Sequence, residues 1–121
     1  MQHSLSNQQL VDIANQFGTP LYVYHAERIT TQYNKLHKAF EGINARIFYA
    51  CKSLTNVNVL KHIYSIGASL DCVSITEARL GLLAGFDPKN ILYTPNCVDF
   101  DEKKKKKNLG LNINIDNISI L

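Results

Sequence analysis

Short β-rich runs alternate with longer stretches of helical periodicity from Phe17 onward in this 121-residue chain. From Arg46 onward the β-rich runs begin roughly 20 to 24 positions apart, and each interval has room for one helix. This pattern is typical of successive βα units around a parallel sheet. It therefore predicts an α/β fold, and its regular spacing favours an α/β barrel over an all-helical or an all-β fold.

The predicted elements follow from local periodicity and from turn residues. Strands are predicted over residues 21–24, 46–50, 69–73, 90–93 and 111–115. Helices are predicted over residues 26–40, over a segment with Val57, Leu60, Ile63 and Tyr64 on one face that stops at Gly67, and over residues 76–84, before Gly85. Glycine just past a helix fits a C-terminal cap, and Ser74 or Thr76 is the expected N-cap of the third helix.

The length of the chain suits only part of such a barrel. A complete (β/α)8 barrel takes about 250 residues, and this chain has 121. Residues 1–25 are predicted to form an N-terminal helix and the first strand, and residues 26–121 to form about half of a barrel. Because residues 116–121 are typical of a helix cap and first turn, the chain is expected to be the N-terminal part of a longer protein.

The charge of the chain is concentrated in one segment. The formal net charge is +3, but five of the 13 basic residues are the consecutive lysines at 103–107. Without them 8 basic residues face 10 acidic ones, a balance of −2. A nucleic-acid interface would rest on this run without interleaved aromatics, so no nucleic-acid partner is expected. Since residues 101–108 contain no apolar side chain, a frayed or poorly packed segment is predicted there.

Membrane and disulfide-rich classes do not fit the sequence. No stretch approaches the roughly 18 consecutive apolar residues of a membrane span, and the N-terminus lacks an apolar signal core. A cytoplasmic protein without a membrane partner is therefore expected. Cys51, Cys72 and Cys97 lie more than twenty positions apart and form no C-x-x-C pair. Reduced, buried thiols are predicted rather than a metal site or a disulfide scaffold.

The residue with the clearest chemical potential is Lys52, within the segment YACKS at 49–53. It directly follows a β-branched and aromatic strand, so it is expected at the carboxyl end of the sheet, where barrel active sites form. A lysine there can form an imine with a carbonyl cofactor if its environment frees the amine. By position alone, a solvated loop lysine is the commoner alternative.

Other polar residues are predicted at the same edge. Asp71 lies in an otherwise apolar strand and needs a partner, for which Lys52 on the neighbouring strand is the candidate. Glu77 falls in the first turn of the next helix, where a capping carboxylate is by position alone the commoner role. Ser74 and Asn96 follow strands directly, with loop closure or capping as the alternative to a role at the site.

Several ordered segments together resemble the diaminopimelate decarboxylases, a family of pyridoxal-phosphate-dependent enzymes. The matching segments are GTPLYVY at 18–24, YACKS at 49–53, DCVS at 71–74 with Glu77, AGF at 84–86, TPN at 94–96 and INID at 113–116. The match spans nearly the whole chain from about Asn15. Several motifs in register are more specific than any one of them.

The resemblance implies a barrel of the alanine-racemase type, a fold shared with ornithine, arginine and carboxynorspermidine decarboxylases. In the family, pyridoxal 5'-phosphate is held covalently by the lysine that matches Lys52, and the residues matching Asp71 and Glu77 belong to the polar network around the cofactor. Full-length members are homodimers that convert diaminopimelate to L-lysine and CO₂, the last step of lysine biosynthesis.

The sequence also departs from the family pattern. Ser53 stands where the family commonly has a small apolar residue, and the lysine run replaces an amphipathic helix. The family's phosphate cradle and substrate-binding groups lie further along than Leu121, so the resemblance implies negligible decarboxylase activity for this chain by itself. The alternatives are a related ornithine, arginine or carboxynorspermidine decarboxylase, a non-catalytic pyridoxal-phosphate-binding barrel protein, and a basic interaction segment at 103–107.

Overall fold

The computed structural model describes residues 5–95 and 109–115. The chain divides into two compact units, Met1–Glu41 and Gly42–Leu121. The helix that begins at Ala26 lies within the first of these units. No helix within residues 5–95 and 109–115 combines the length and the apolar character needed to cross a membrane.

The first unit contains two helices, α1 (Asn7–Phe17) and α2 (Ala26–Ala39). A capping box begins α1: the Ser6 hydroxyl accepts a hydrogen bond from the backbone N–H of Gln9 at 3.2 Å, and the Gln9 side chain accepts one from the Ser6 N–H at 2.8 Å. The N-cap of α2 is His25, whose ring Nδ1 accepts a hydrogen bond from the backbone N–H of Arg28 at 3.1 Å. Both helices therefore start where a side chain satisfies a free backbone donor.

The strand predicted at residues 21–24 is wrong. These residues adopt no regular secondary structure, and the Tyr22 side chain is 90% exposed. β-propensity largely reflects packing against neighbouring strands. Among the described residues of the first unit there are two helices and no strand, so the apolar run has no ladder to join.

The second unit is built on a parallel four-stranded sheet in the order β1-β2-β3-β4. The strands are β1 (Phe48–Ala50), β2 (Ser69–Cys72), β3 (Ile91–Tyr93) and β4 (Asn112–Ile113), with short 3₁₀ turns at Cys51–Ser53 and Pro88–Asn90. Crossover helices α3 (Val57–Ser65) and α4 (Ile75–Ala84) connect β1 to β2 and β2 to β3. The predicted α/β fold with a parallel sheet is confirmed, and each predicted strand from residue 46 onward forms in shortened form.

The boundaries of the crossover helices follow from side-chain and glycine caps. The Asn56 side chain accepts two backbone N–H groups of α3, at 2.9 and 3.3 Å. Of the two predicted caps for α4 the structure uses Ser74 rather than Thr76. Gly85 ends α4 in the left-handed conformation, with φ of 104°, which glycine adopts without the penalty of a Cβ.

The core lies between the sheet and its crossover helices. Leu70, Cys72, Ile91 and Tyr93 are fully buried, and the register aligns Leu70 with Ile91 and Cys72 with Tyr93 on one face. The α4 helix approaches this face through Gly81, where an added Cβ would clash with the Leu70 side chain and would lie 3.3 Å from Ile91. This close approach explains why a glycine stands inside a helix.

The opposite face of the sheet carries different residues, because side chains alternate along a strand. Asp71 is aligned with Ala50 on β1 and with Leu92 on β3, and Leu92 is aligned with Asn112 on β4. Ala50, Asp71 and Leu92 are only partly buried. In a barrel whose helices form the outer layer, this is the face that points to the interior.

Arg46 joins the amino ends of three strands. Its Nη2 donates hydrogen bonds to the Ser69 hydroxyl at 3.2 Å and to the Asn90 side-chain oxygen at 2.7 Å. Its guanidinium carbon also lies 5.3 Å from the centroid of the Phe48 ring, within the range of cation–π attraction. One side chain therefore connects β1, the first residue of β2 and the residue before β3.

Replacing Gly81 with valine is expected to lower the free energy of unfolding by about 1 to 3 kcal/mol, because the added side chain overpacks the contact with Leu70. Urea denaturation would measure the change. Leu83→Val is the matched control, since Leu83 lies on the same helix and is 68% exposed. Equal stability of the Gly81 variant and the wild type would contradict the close approach of α4 to the sheet.

Candidate active site at the carboxyl edge of the sheet

Lys52 lies directly beyond the carboxyl end of β1, in the 3₁₀ turn Cys51–Ser53. Its side chain is exposed, so its amine is accessible to a reagent or a cofactor. The preceding residue, Cys51, is fully buried and anchors the turn to the core. The sequence predicted this position, and the structure places the lysine at the carboxyl end of the parallel strands, where barrel active sites form.

Asp71 lies at the same edge, one strand away. It is the penultimate residue of β2 and is aligned with Ala50, the last residue of β1. Its Oδ1 accepts a hydrogen bond from the Thr94 hydroxyl at 2.7 Å, in a partly buried setting. The sequence named Lys52 as the partner of Asp71, and that expectation is corrected: within residues 5–95 and 109–115 its hydrogen-bond partner is Thr94.

Glu77 closes the turn between β2 and α4. Its Oε2 accepts a hydrogen bond from the backbone N–H of Val73 at 2.8 Å, while its own N–H donates to the Ser74 hydroxyl at 3.2 Å. Each side chain thus satisfies a free backbone donor next to the helix start. The capping role considered for Glu77 and Ser74 is confirmed, and a role of Glu77 toward a cofactor stays a prediction.

Several candidates of the sequence lie outside the described residues. Asn96, Cys97 and the lysine run at 103–107 are among them, as is the predicted frayed segment at 101–108. Residues 94 and 95, the first two of the TPN segment, are described and follow β3 directly. Of these two described residues, Thr94 forms a side-chain hydrogen bond, the one to Asp71.

Two buried thiols and one carboxylate meet behind the lysine turn. The sulfur atoms of Cys51 and Cys72 and a Glu77 carboxylate oxygen lie within 4.8 Å of one another. Burial first, and then the charge of Glu77, raises the pKa of Cys51 to about 11. Burial and then Cys51 also raise the pKa of Cys72. Cys51 and Cys72 are both free and buried, as predicted for these two thiols.

The stability of the fold is expected to decrease in alkaline solution. The pKa of Cys51 rises from an ordinary 9.0 to about 11 on folding, so the unfolded chain loses this proton first. The contribution is fully present below pH 9 and is lost as the pH rises toward about 11. Urea denaturation across this range would measure the loss, and Cys51→Ala should reduce it. An identical pH dependence of the two proteins would contradict the assignment.

Sequence reasoning missed Thr94 as a site residue and missed the clustering of the thiols with Glu77. Thr94 and Asp71 are 23 positions apart, and only the register of β2 and β3 brings them together. The available signal was that Thr94 directly follows a predicted strand, as Lys52 does. The same reasoning that placed Lys52 at the carboxyl edge would have placed Thr94 there too.

The chain is similar to a known protein family and to named relatives. Residues 26–121 match the family model described as pyridoxal-dependent decarboxylase, pyridoxal binding domain. A diaminopimelate decarboxylase of Methanothermobacter thermautotrophicus is 43% identical over 113 residues, which cover 92% of this chain and 26% of that protein. One from Deinococcus radiodurans is 34% identical over 113 residues, which cover 93% of this chain and 29% of that protein.

Solved structures show the same likeness. A diaminopimelate decarboxylase of Helicobacter pylori complexed with L-lysine matches with a TM-score of 0.83 at 25% identity, covering 92% of this chain and 28% of that one. A lysine/ornithine decarboxylase of Vibrio vulnificus complexed with putrescine matches with a TM-score of 0.84 at 25% identity, covering 96% and 32%. The predicted fold, the N-terminal part of such a barrel, is confirmed. The chain spans between a quarter and a third of the length of these proteins.

Proposed function

We propose, since this chain belongs to the pyridoxal-dependent decarboxylase family through its pyridoxal binding domain, that it is part of a diaminopimelate decarboxylase in which Lys52 holds the cofactor. The observation that carries the proposal is the position of Lys52: an exposed amine at the carboxyl edge of a parallel sheet. Loop lysines are common, but the family match over residues 26–121 makes this one the candidate nucleophile.

The residues of this edge fit pyridoxal phosphate in their chemistry. Bound to such a lysine, the cofactor supplies an electron-accepting ring that takes up the electrons left when a carboxylate departs as CO₂. Lys52 would provide the amine that holds the cofactor. Asp71 provides a carboxylate, anchored through one oxygen by Thr94, that can accept a hydrogen bond from a cationic partner.

Glu77 contributes to this site through the backbone. Its carboxylate accepts a hydrogen bond from the Val73 N–H at 2.8 Å, so it fixes the turn that leaves β2 after Cys72. The adjacent Ser74 hydroxyl accepts a hydrogen bond from the backbone N–H of Glu77 at 3.2 Å. We therefore assign Glu77 to the cofactor network as the residue that shapes the loop next to Asp71.

The proposed substrate is meso-diaminopimelate, and the products are L-lysine and CO₂. Support comes from the names of the relatives at 43% and 34% identity and from solved diaminopimelate decarboxylases that contain L-lysine. The likeness to a lysine/ornithine decarboxylase complexed with putrescine favours ornithine decarboxylation as the second candidate. A pyridoxal-phosphate-binding barrel without turnover is the third.

The test is a CO₂-release assay on the protein encoded by the complete coding sequence, with diaminopimelate, ornithine and arginine as separate substrates. Release from diaminopimelate is expected to exceed release from the other two and to disappear in Lys52→Ala. Lys61→Ala is the matched control, because Lys61 is an exposed lysine on α3. Preference for ornithine or arginine would replace the proposed substrate, and activity that survives Lys52→Ala would refute the site.

Three further expectations complete the proposal. The complete protein is expected to be a homodimer, which sedimentation would test, and to reside in the cytoplasm, which cell fractionation would test. No nucleic-acid partner is expected despite the lysine run at 103–107. Steeply salt-dependent binding to nucleic acid would contradict the last expectation.

A further inference from the structure

We propose that Thr94 is a positioning residue that holds the Asp71 carboxylate in a fixed orientation at the edge occupied by Lys52. The inference rests on the proposed function and extends it to the residue that directly follows β3. It begins from the 2.7 Å hydrogen bond between the Thr94 hydroxyl and Asp71 Oδ1. A donor this close to a carboxylate oxygen makes a charge-assisted hydrogen bond.

Thr94 is itself held in place. Its backbone N–H donates to the carbonyl oxygen of Cys72 at 2.8 Å, and the register aligns Cys72 with Tyr93. The main chain of Thr94 is therefore tied to the residue after Asp71, on the same neighbouring strand. A β-branched side chain also has restricted rotation about χ1, so the hydroxyl points in a defined direction.

The bond restrains the carboxylate while leaving part of it accessible. Asp71 is only partly buried, and a short side chain near the end of a strand otherwise rotates freely between staggered conformers. The Thr94 hydroxyl engages Oδ1, so this bond restrains the orientation of the whole carboxylate. Asp71 is aligned with Ala50, the last residue of β1, and Lys52 lies in the turn that follows Ala50.

The experiment compares Thr94→Val, which keeps the shape of the side chain and removes the hydroxyl, with Thr94→Ser, which keeps the hydroxyl. The rate at which pyridoxal phosphate labels Lys52 is followed by borohydride reduction between about pH 6 and pH 10. Loss of a hydrogen bond to a charged group is expected to slow labelling roughly tenfold in Thr94→Val and to change its pH profile. Thr94→Ser should restore both.

A second measurement does not depend on the cofactor. The carboxyl ¹³C resonance of Asp71 in the chain without pyridoxal phosphate should move in Thr94→Val and return in Thr94→Ser. Thermal unfolding identifies any variant that has lost its fold, and in Asp71→Asn the Thr94→Val change should have little further effect on labelling. An unmoved resonance, or equal behaviour of the valine and serine variants, would overturn the inference. Failure of the wild-type chain to label at Lys52, with the resonance still moving, would instead remove the proposed function.

Discussion

Replacing Lys52 with alanine is expected to reduce labelling of this chain by pyridoxal phosphate to the level of its other exposed lysines. Imine formation requires an accessible primary amine, and Lys52 combines exposure with a position at the carboxyl edge of the sheet. Borohydride reduction followed by peptide mass spectrometry would locate the adduct.

Lys61→Ala provides the control for this result, because it removes an exposed lysine of α3 that lies outside the predicted motif at 49–53. It should leave the adduct at Lys52 unchanged. Equal labelling of Lys52 and Lys61 in the wild type would mean that the carboxyl edge gives Lys52 no special reactivity. Lys52 would then be an ordinary solvated loop lysine, the alternative that its position alone allows.

Replacing Leu70 with alanine is expected to lower the free energy of unfolding by about 2 to 5 kcal/mol. Leu70 is fully buried and lies where Gly81 brings α4 onto the sheet, so truncation leaves a cavity at the centre of the core. Small domains are stable by only about 5 to 15 kcal/mol, so this loss is a large fraction of the total. Urea denaturation would measure it, with exposed Leu83→Ala as the control.

A double-mutant cycle tests whether the cavity lies where the structure puts it. Gly81→Ala adds a methyl group that points at the space vacated by Leu70→Ala. The two changes together should therefore destabilise the protein less than the sum of their separate effects. Additive losses would show that residues 70 and 81 do not share this contact.

The fold was largely predictable because its signals are local. Apolar residues at helical spacing identified α3, and Gly85 and Ser74 marked the ends of α4 through their own backbone preferences. The failure at residues 21–24 has the opposite cause. A strand requires a partner, and four apolar or aromatic residues carry no information about whether one is present.

The sequence predicted where the residues of the candidate site lie, but not the hydrogen bonds and contacts between them. Lys52 and Asp71 could be placed at the carboxyl edge because each lies at the end of a predicted strand. The pairing of Asp71 with Thr94 depends on strand register, as does the proximity of Cys51 and Cys72, and register is set by tertiary packing. Glu77 shows the intermediate case: its place in the first helical turn indicated a cap, and the 2.8 Å bond to Val73 N–H bears this out.

The Arg46 side chain donates hydrogen bonds to both Ser69 and Asn90. The two ends of the sheet are therefore held differently. The end away from Lys52 is tied by a rigid planar group with several fixed donors, so the strands keep their alignment there. Turns at the opposite end can then exchange residues during evolution without letting the strands slip. A scaffold of this kind can acquire new substrates while its framework stays constant.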